Sequence, residues 1–194
     1  MTVRSIFLIL AGTIFFTACK PKQPVNQVVA DTTKNIQADT GYFPKPIGYV
    51  NDYTHLFTTE QNRTLDSIIR NYEKKTTIEI AIVTLDSSMV GQRNFQQYTL
   101  DLARNWGVGK KEKNNGVLIS IAPYMRRIRI DNGPGIEKII SDNETKAIID
   151  SIFVPNFKNG KFYEGTQQGL LAIMKKLDGL IRVLLHFHCI LHLH

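Results

Sequence analysis

Cysteine is nearly absent: the 194 residues hold two, Cys19 and Cys189. A disulfide-stapled scaffold is excluded, and if Cys19 is used elsewhere no intramolecular bridge remains. Histidine is almost confined to the end of the chain; of the five, only His55 precedes His186. No Ser-His-Asp order and no cysteine nucleophile is visible, which removes the common routes of nucleophilic hydrolysis. Acidic residues are outnumbered, 17 against 24 lysines and arginines, for a formal net charge of +7. The basic residues are scattered without interleaved aromatics, so nucleic acid is not the partner they indicate. A basic surface is instead suited to anionic headgroups. The apolar stretch at residues 6–16 is too short to span a bilayer as a helix.

What is present at the start reads as a targeting segment. Arg4 supplies a short positive region, the apolar stretch follows, and Phe16-Thr17-Ala18-Cys19 has small residues before a cysteine. That order matches a bacterial lipoprotein processing site, with residues 1–18 removed and Cys19 lipidated. Phe16 departs from the leucine usual there, and an ordinary secretory signal or an uncleaved anchor is the plainer alternative. Residues 19–46 are polar and carry Pro21, Pro24, Pro44 and Pro46, as expected of a tether whose aromatic end, Tyr42-Phe43, docks on the folded part. The chain is thus expected in the cell envelope, held to the bilayer through Cys19, with envelope proteins as further partners.

Residues 47–180 carry the periodicities of one α/β domain, long enough for a single core. Thr58-Thr59-Glu60-Gln61 is a capping box, and Leu65, Ile68, Ile69 and Tyr72 follow at helical spacing, predicting a helix over 58–74. Residues 78–85 read as a buried central strand. Phe95, Tyr98 and Leu102 mark a second helix stopped by Gly107. Residues 116–122 form another central strand, Pro123-Tyr124-Met125 turns the chain, and 127–131 returns antiparallel. A second capping box, Ser141 to Glu144, opens a helix expected to stop at Pro155, and a last helix is expected over 163–178. The helix between the central strands makes them parallel with a right-handed crossover. The fold class is α/β: a small mixed, mostly parallel sheet between helices, a Rossmann-like sandwich. Gly133-Pro134-Gly135 follows a strand, but the third glycine of the dinucleotide fingerprint is missing. Residues 181–194 form an atypical histidine-rich tail in which 185–194 alternate apolar residues with histidine, which reads literally as an edge strand with imidazoles on one face. The alternatives are a zinc or nickel site and a tail unrelated to the domain.

Two glycine-rich polar loops flank the antiparallel strand pair. Trp106-Gly107-Val108-Gly109 and Lys110-Lys111-Glu112-Lys113-Asn114-Asn115-Gly116 lead into the first strand; Asp131-Asn132-Gly133-Pro134-Gly135-Ile136-Glu137 leaves the second. With Tyr49-Val50-Asn51-Asp52-Tyr53 and Pro155-Asn156-Phe157 with Gly160, this order of motifs resembles the TPM-domain family, which has plant thylakoid and bacterial members. The resemblance covers residues 48–177. It implies a Rossmann-like sandwich, and it implies calcium binding and weak acid phosphatase activity, both associated with plant relatives.

Antiparallel pairing brings the two loops to one sheet edge. Asp131 and Glu137, with Asn114 and Asn115 opposite, offer the oxygen ligands of a hard cation, calcium before others. The plainer reading is a tight glycine turn with Glu137 capping the next segment. Asn114 stands where many relatives carry aspartate, which removes one charge. Asp52 joins the set only if its segment does not pair parallel with the central strands; otherwise it caps the start of the first helix. Lys110, Lys111 and Lys113 either hold a phosphate or form a solvated loop. Trp106 is a ligand platform or core packing. Two functions follow: a non-catalytic cation-binding and interaction module, or a low-specificity, metal-dependent phosphatase on phosphomonoesters.

Overall fold

The computed structural model describes residues 43–191 other than 111, with side chains through residue 179. The expected targeting segment, Cys19, most of the expected tether and the side chains of the terminal histidines lie outside these residues.

Four strands form one sheet: β1 (Val50–Asp52), β2 (Glu79–Thr84), β3 (Gly116–Ala122) and β4 (Arg127–Asn132), side by side in chain order. The pairs β1–β2 and β2–β3 are parallel, and β3–β4 is antiparallel. Helix α1 (Thr59–Thr76) links β1 to β2; α2 (Ser87–Val90) and α3 (Phe95–Trp106) link β2 to β3. The expected capping box starts α1: the Thr58 hydroxyl accepts from Gln61 N, and the Gln61 side chain accepts from Thr58 N.

Side chains alternate across the strands, so each strand feeds two cores. Ile80, Ile82, Val117, Ile119 and Ile121 face Leu65, Ile69 and Tyr72 of α1. Ala81, Val83, Leu118 and Ala122 face Phe95, Tyr98 and Leu102 of α3. The sheet therefore lies between helices, as the α/β reading requires. Because β1, β2 and β3 stand in sequence order while α1 and α3 cover opposite faces, the two crossovers have opposite hands. One of them runs against the right-handed rule used to read the sequence.

After β4 come α4 (Pro134–Glu137), α5 (Asp142–Ile148), a π-helical turn (Ile149–Phe153), α6 (Val154–Lys158) and α7 (Phe162–Leu191). Pro155 does not end the helical run as expected. It falls in the first turn of α6, where no amide donor is needed, and the wide π turn precedes it. The Asn156 side chain donates to Ile152 O at 2.8 Å and helps satisfy this junction. The backbone of residues 181–191 also differs from the literal strand reading: it continues α7 to Leu191. A period-two pattern alone does not make a strand when the preceding helix has no stop signal.

Residues 43–45, at the end of the expected tether, dock on the α3 face. Phe43 packs its ring against Tyr98 with centroids 5.3 Å apart. Trp106 Nε1 donates to Pro44 O at 2.7 Å, and Tyr53 donates its hydroxyl to Lys45 O. Trp106 is thereby partly buried structure, packed beside the α3 core.

Candidate functional site at the two-loop edge

The two loops meet as the antiparallel pairing demands. Gly133 N donates to Gly116 O at 2.8 Å, and Gly135 N donates to Asn114 O at 2.9 Å. Backbone is stitched to backbone, which explains the glycines. A Cβ on Gly116 would lie 2.0 Å from Val108 O, and one on Gly133 would lie 2.4 Å from Asn114 O. The loop before β3 coils on itself: Lys113 N and Asn114 N both donate to Lys110 O. Asn114 takes a left-handed φ of 48°, which asparagine tolerates better than most residues.

The side chains at this edge then diverge. Asn115 is buried; its Oδ1 accepts from Lys110 N at 3.0 Å and its Nδ2 donates to Thr77 O at 2.6 Å. It ties the loop to the end of α1. Asp131 is 5% exposed and sits in register with Leu118, on the α3 face. Arg129 Nε donates to its Oδ1 at 2.5 Å. Burial lifts the Asp131 pKa above the ordinary aspartate range; the Thr99 hydroxyl, Arg129 and Arg104 oppose this without cancelling it. Its Oδ2 is buried without a hydrogen bond, while the Thr99 hydroxyl donates to Gln96 O at 3.2 Å. Asn114 and Glu137 are exposed, on the two facing loops. Asn132 turns to the other face and donates to Thr145 Oγ1 at 3.0 Å.

Asp52 lies at the opposite end of the sheet, because β1 pairs parallel with β2 and Asp52 stands opposite Thr84. There it organises the loop before α1: its carboxylate accepts from Leu56 N and Phe57 N at 2.9 Å each, and from Thr84 Oγ1 at 2.7 Å. Of the lysines, Lys110 faces Glu73 at 4.0 Å and Lys113 donates to Thr77 Oγ1 at 3.1 Å. Lys111 lies outside the described residues.

Two carboxylates not read from the sequence belong to this edge. Glu73, late in α1, accepts from the Tyr49 hydroxyl. Glu79 begins β2; burial raises its pKa, with the Gly109 amide and Lys110 opposing and Glu73 adding to the rise. Glu79 stands next to the loop through the parallel β2–β3 register, in which it faces Gly116, and Glu73 through the end of α1, where it meets Lys110. Helical periodicity and strand pattern carry no sign of this.

For a divalent cation the expected donor set does not fit one centre. Asp131 is turned under α3 and paired with Arg129, Asn115 is engaged by backbone, and Asp52 is at the far end of the sheet. Among the described residues no group of three His, Cys, Asp or Glu side chains is placed to share an ion. Glu137 and Asn114 are left as an exposed rim.

Comparison with known proteins places this architecture. The model of the TPM domain (TPM_phosphatase) matches residues 50–176. The solution structure of the N-terminal domain of a P. gingivalis protein is similar at 34% identity and TM-score 0.63, covering 69% of this chain and 84% of that one. The BA42 protein of the psychrophile Bizionia argentinensis shares the fold at 24% identity and TM-score 0.56, covering 64% and 83%. The N-terminal domain of cg2496 protein from Corynebacterium glutamicum shares it at 18% identity and TM-score 0.50, covering 69% and 80%. No curated protein matches the chain. The domain model covers most of the described residues and the P. gingivalis domain shares both sequence and fold, so the chain belongs to the TPM-domain family.

Proposed function

We propose that the chain is a lipid-anchored envelope protein whose TPM domain works as a non-catalytic interaction module. One observation carries the non-catalytic part: apart from the exposed rim of Asn114 and Glu137 and one oxygen of Asp131, the polar side chains named at the two-loop edge are engaged by the protein itself. Asp131 meets Arg129, Asn115 meets Thr77 and Lys110, and Lys113 meets Thr77. Such groups hold a loop in shape; a hydrolytic centre needs them free to position water or a nucleophile. Calcium, the cation expected from the resemblance, is left with the Glu137 carboxylate and the Asn114 side chain. That pair suits a weak, peripheral contact, since tight calcium sites use six to eight oxygens. The anchor part is supported by the residue order ending at Cys19, and envelope proteins are the partners a tethered domain meets first.

A metal-dependent phosphatase is the second reading, favoured by the name of the matching family model and by Lys110 and Lys113 beside the loop. One experiment separates the two. The full chain is incubated with a generic phosphomonoester in calcium, in magnesium and in chelator, beside an Asp131→Asn variant. The interaction-module reading expects no metal-dependent turnover above the variant's. Turnover that needs metal and is lost in the variant would overturn it.

A further inference from the structure

At the end of the sheet opposite the two-loop edge, a pocket of about 410 Å³ opens beside the β3–β4 hairpin. Its volume falls within the range of small-molecule sites, roughly 300–1,000 Å³. Its floor is apolar: Ile128 from β4, Val154 and Phe157 from α6, and Phe162 at the start of α7. The aromatic wall is fixed, with Phe157 and Phe162 at 5.1 Å between centroids and Phe157 and Phe153 at 5.8 Å. Arg126, Arg127 and Lys158 also line it, and all three are exposed. No carboxylate lines the pocket. Among the described residues, none of these three cations is in an ion pair.

We propose that this pocket binds a single-chain anionic amphiphile, a long-chain carboxylate, with its apolar chain on the Phe157–Phe162 wall and its head between Arg126, Arg127 and Lys158. The two halves of the pocket select the class together. A simple anion would leave the apolar floor wet, and a neutral hydrocarbon would leave the cations unused. Arginine pairs suit a carboxylate because the guanidinium fork meets both oxygens. The site shares no residue with the two-loop edge, so its failure and that of the proposed function are separate results.

The test uses the full chain carrying Cys19→Ser, which removes the acyl anchor, titrated with decanoate and with 1-decanol. Backbone NMR shifts of Ile128, Val154 and Phe157 and the methyl shifts of Ile128 and Val154 are followed. Decanoate is expected to move these signals saturably and to bind more tightly than decanol. The Arg126→Ala/Arg127→Ala double variant should lose about tenfold or more in decanoate affinity and keep its decanol affinity. Both arginines are exposed, so the variant keeps its core. Equal binding of decanol and decanoate, undiminished decanoate binding by the variant, or silent pocket signals would each overturn the proposal. Anionic phosphatidylglycerol vesicles form a further arm. If they move the pocket signals while decanoate does not, the occupant is a bilayer surface, and the single-chain assignment is wrong.

Discussion

At the residue scale, small groups at the two-loop edge do more than the charged ones. Gly116 is required because Val108 O occupies the space of a Cβ, at 2.0 Å. Gly116→Ala should destabilise the protein by about 1–3 kcal/mol, the range for overpacking a tight site. Gly179, in α7, has nothing within 4 Å of its missing Cβ, so Gly179→Ala should stabilise by about 0.5–1 kcal/mol through helix propensity. Paired urea melts read the opposite signs. Asp131 gives a pH signature. Burial raises its folded-state pKa above the unfolded value, so between the two the folded protein holds more proton than the unfolded chain. Its contribution is favourable below the unfolded value and is lost as pH rises through the folded one. Asp131→Asn removes that dependence, so its stability relative to the parent should increase from mildly acid to neutral pH. A constant difference across that range would show that Arg129 fully compensates the burial.

At the element scale, short-range signals were strong where the partner is local. Both capping boxes formed, at Thr58 and at Ser141. The second is coupled to α7: Lys176 Nζ meets Glu144 Oε1 at 2.9 Å. Lys176 first, then Ser141, pull the Glu144 carboxyl down to about 2. A lowered carboxylate pKa stabilises above its unfolded value and stops doing so as pH falls through the folded one. Glu144→Gln should therefore weaken the fold slightly at neutral pH, and the difference should shrink as pH falls towards 2, by thermal melts across that range. The helix over 163–178 was legible as an amphipathic run, but its extension to Leu191 was not, since alternation masked a helix without a stop. Among the described residues, Leu170, Ile173, Met174 and Leu177 are the buried apolar residues α7 gives to the α1-side core. Removing residues 182–194 should leave a cooperative melt within a few degrees of the parent, by circular dichroism. Loss of cooperativity would show that the end of α7 belongs to the core.

At the scale of the whole molecule, the sheet divides the domain into two faces and two edges with different tasks. The α3 face holds residues 43 and 44 through the Phe43 ring on Tyr98 and the Trp106 hydrogen bond to Pro44 O. The proposed anchor at Cys19 has its own test. Cys19→Ser should release the chain from membranes or leave it unprocessed, read by fractionation and mobility. Unchanged partitioning and migration would remove the lipoprotein reading. No helix among the described residues is long and apolar enough to cross a bilayer.

The sequence by itself determined the types of the central strands and of the helices between them, the caps, the pairing of the central strands and the meeting of the two glycine loops. These depend on periodicity, on turn chemistry and on connection length, which are written along the chain. It also placed Asp52 conditionally, and the parallel pairing of β1 resolved the condition. Tertiary structure alone decided where the side chains at that edge turn. Asp131 and Asn132 are adjacent in sequence yet lie on opposite faces, one under α3 beside Arg129 and one against Thr145 of α5. Residue types named four oxygen donors; the pleat and the packing of three helices separated them. Glu73 and Glu79 came to the loop by the same packing, and so did the cation-lined pocket at the far end. Register and helix placement depend on contacts between residues distant in the chain, and no local window of sequence records them.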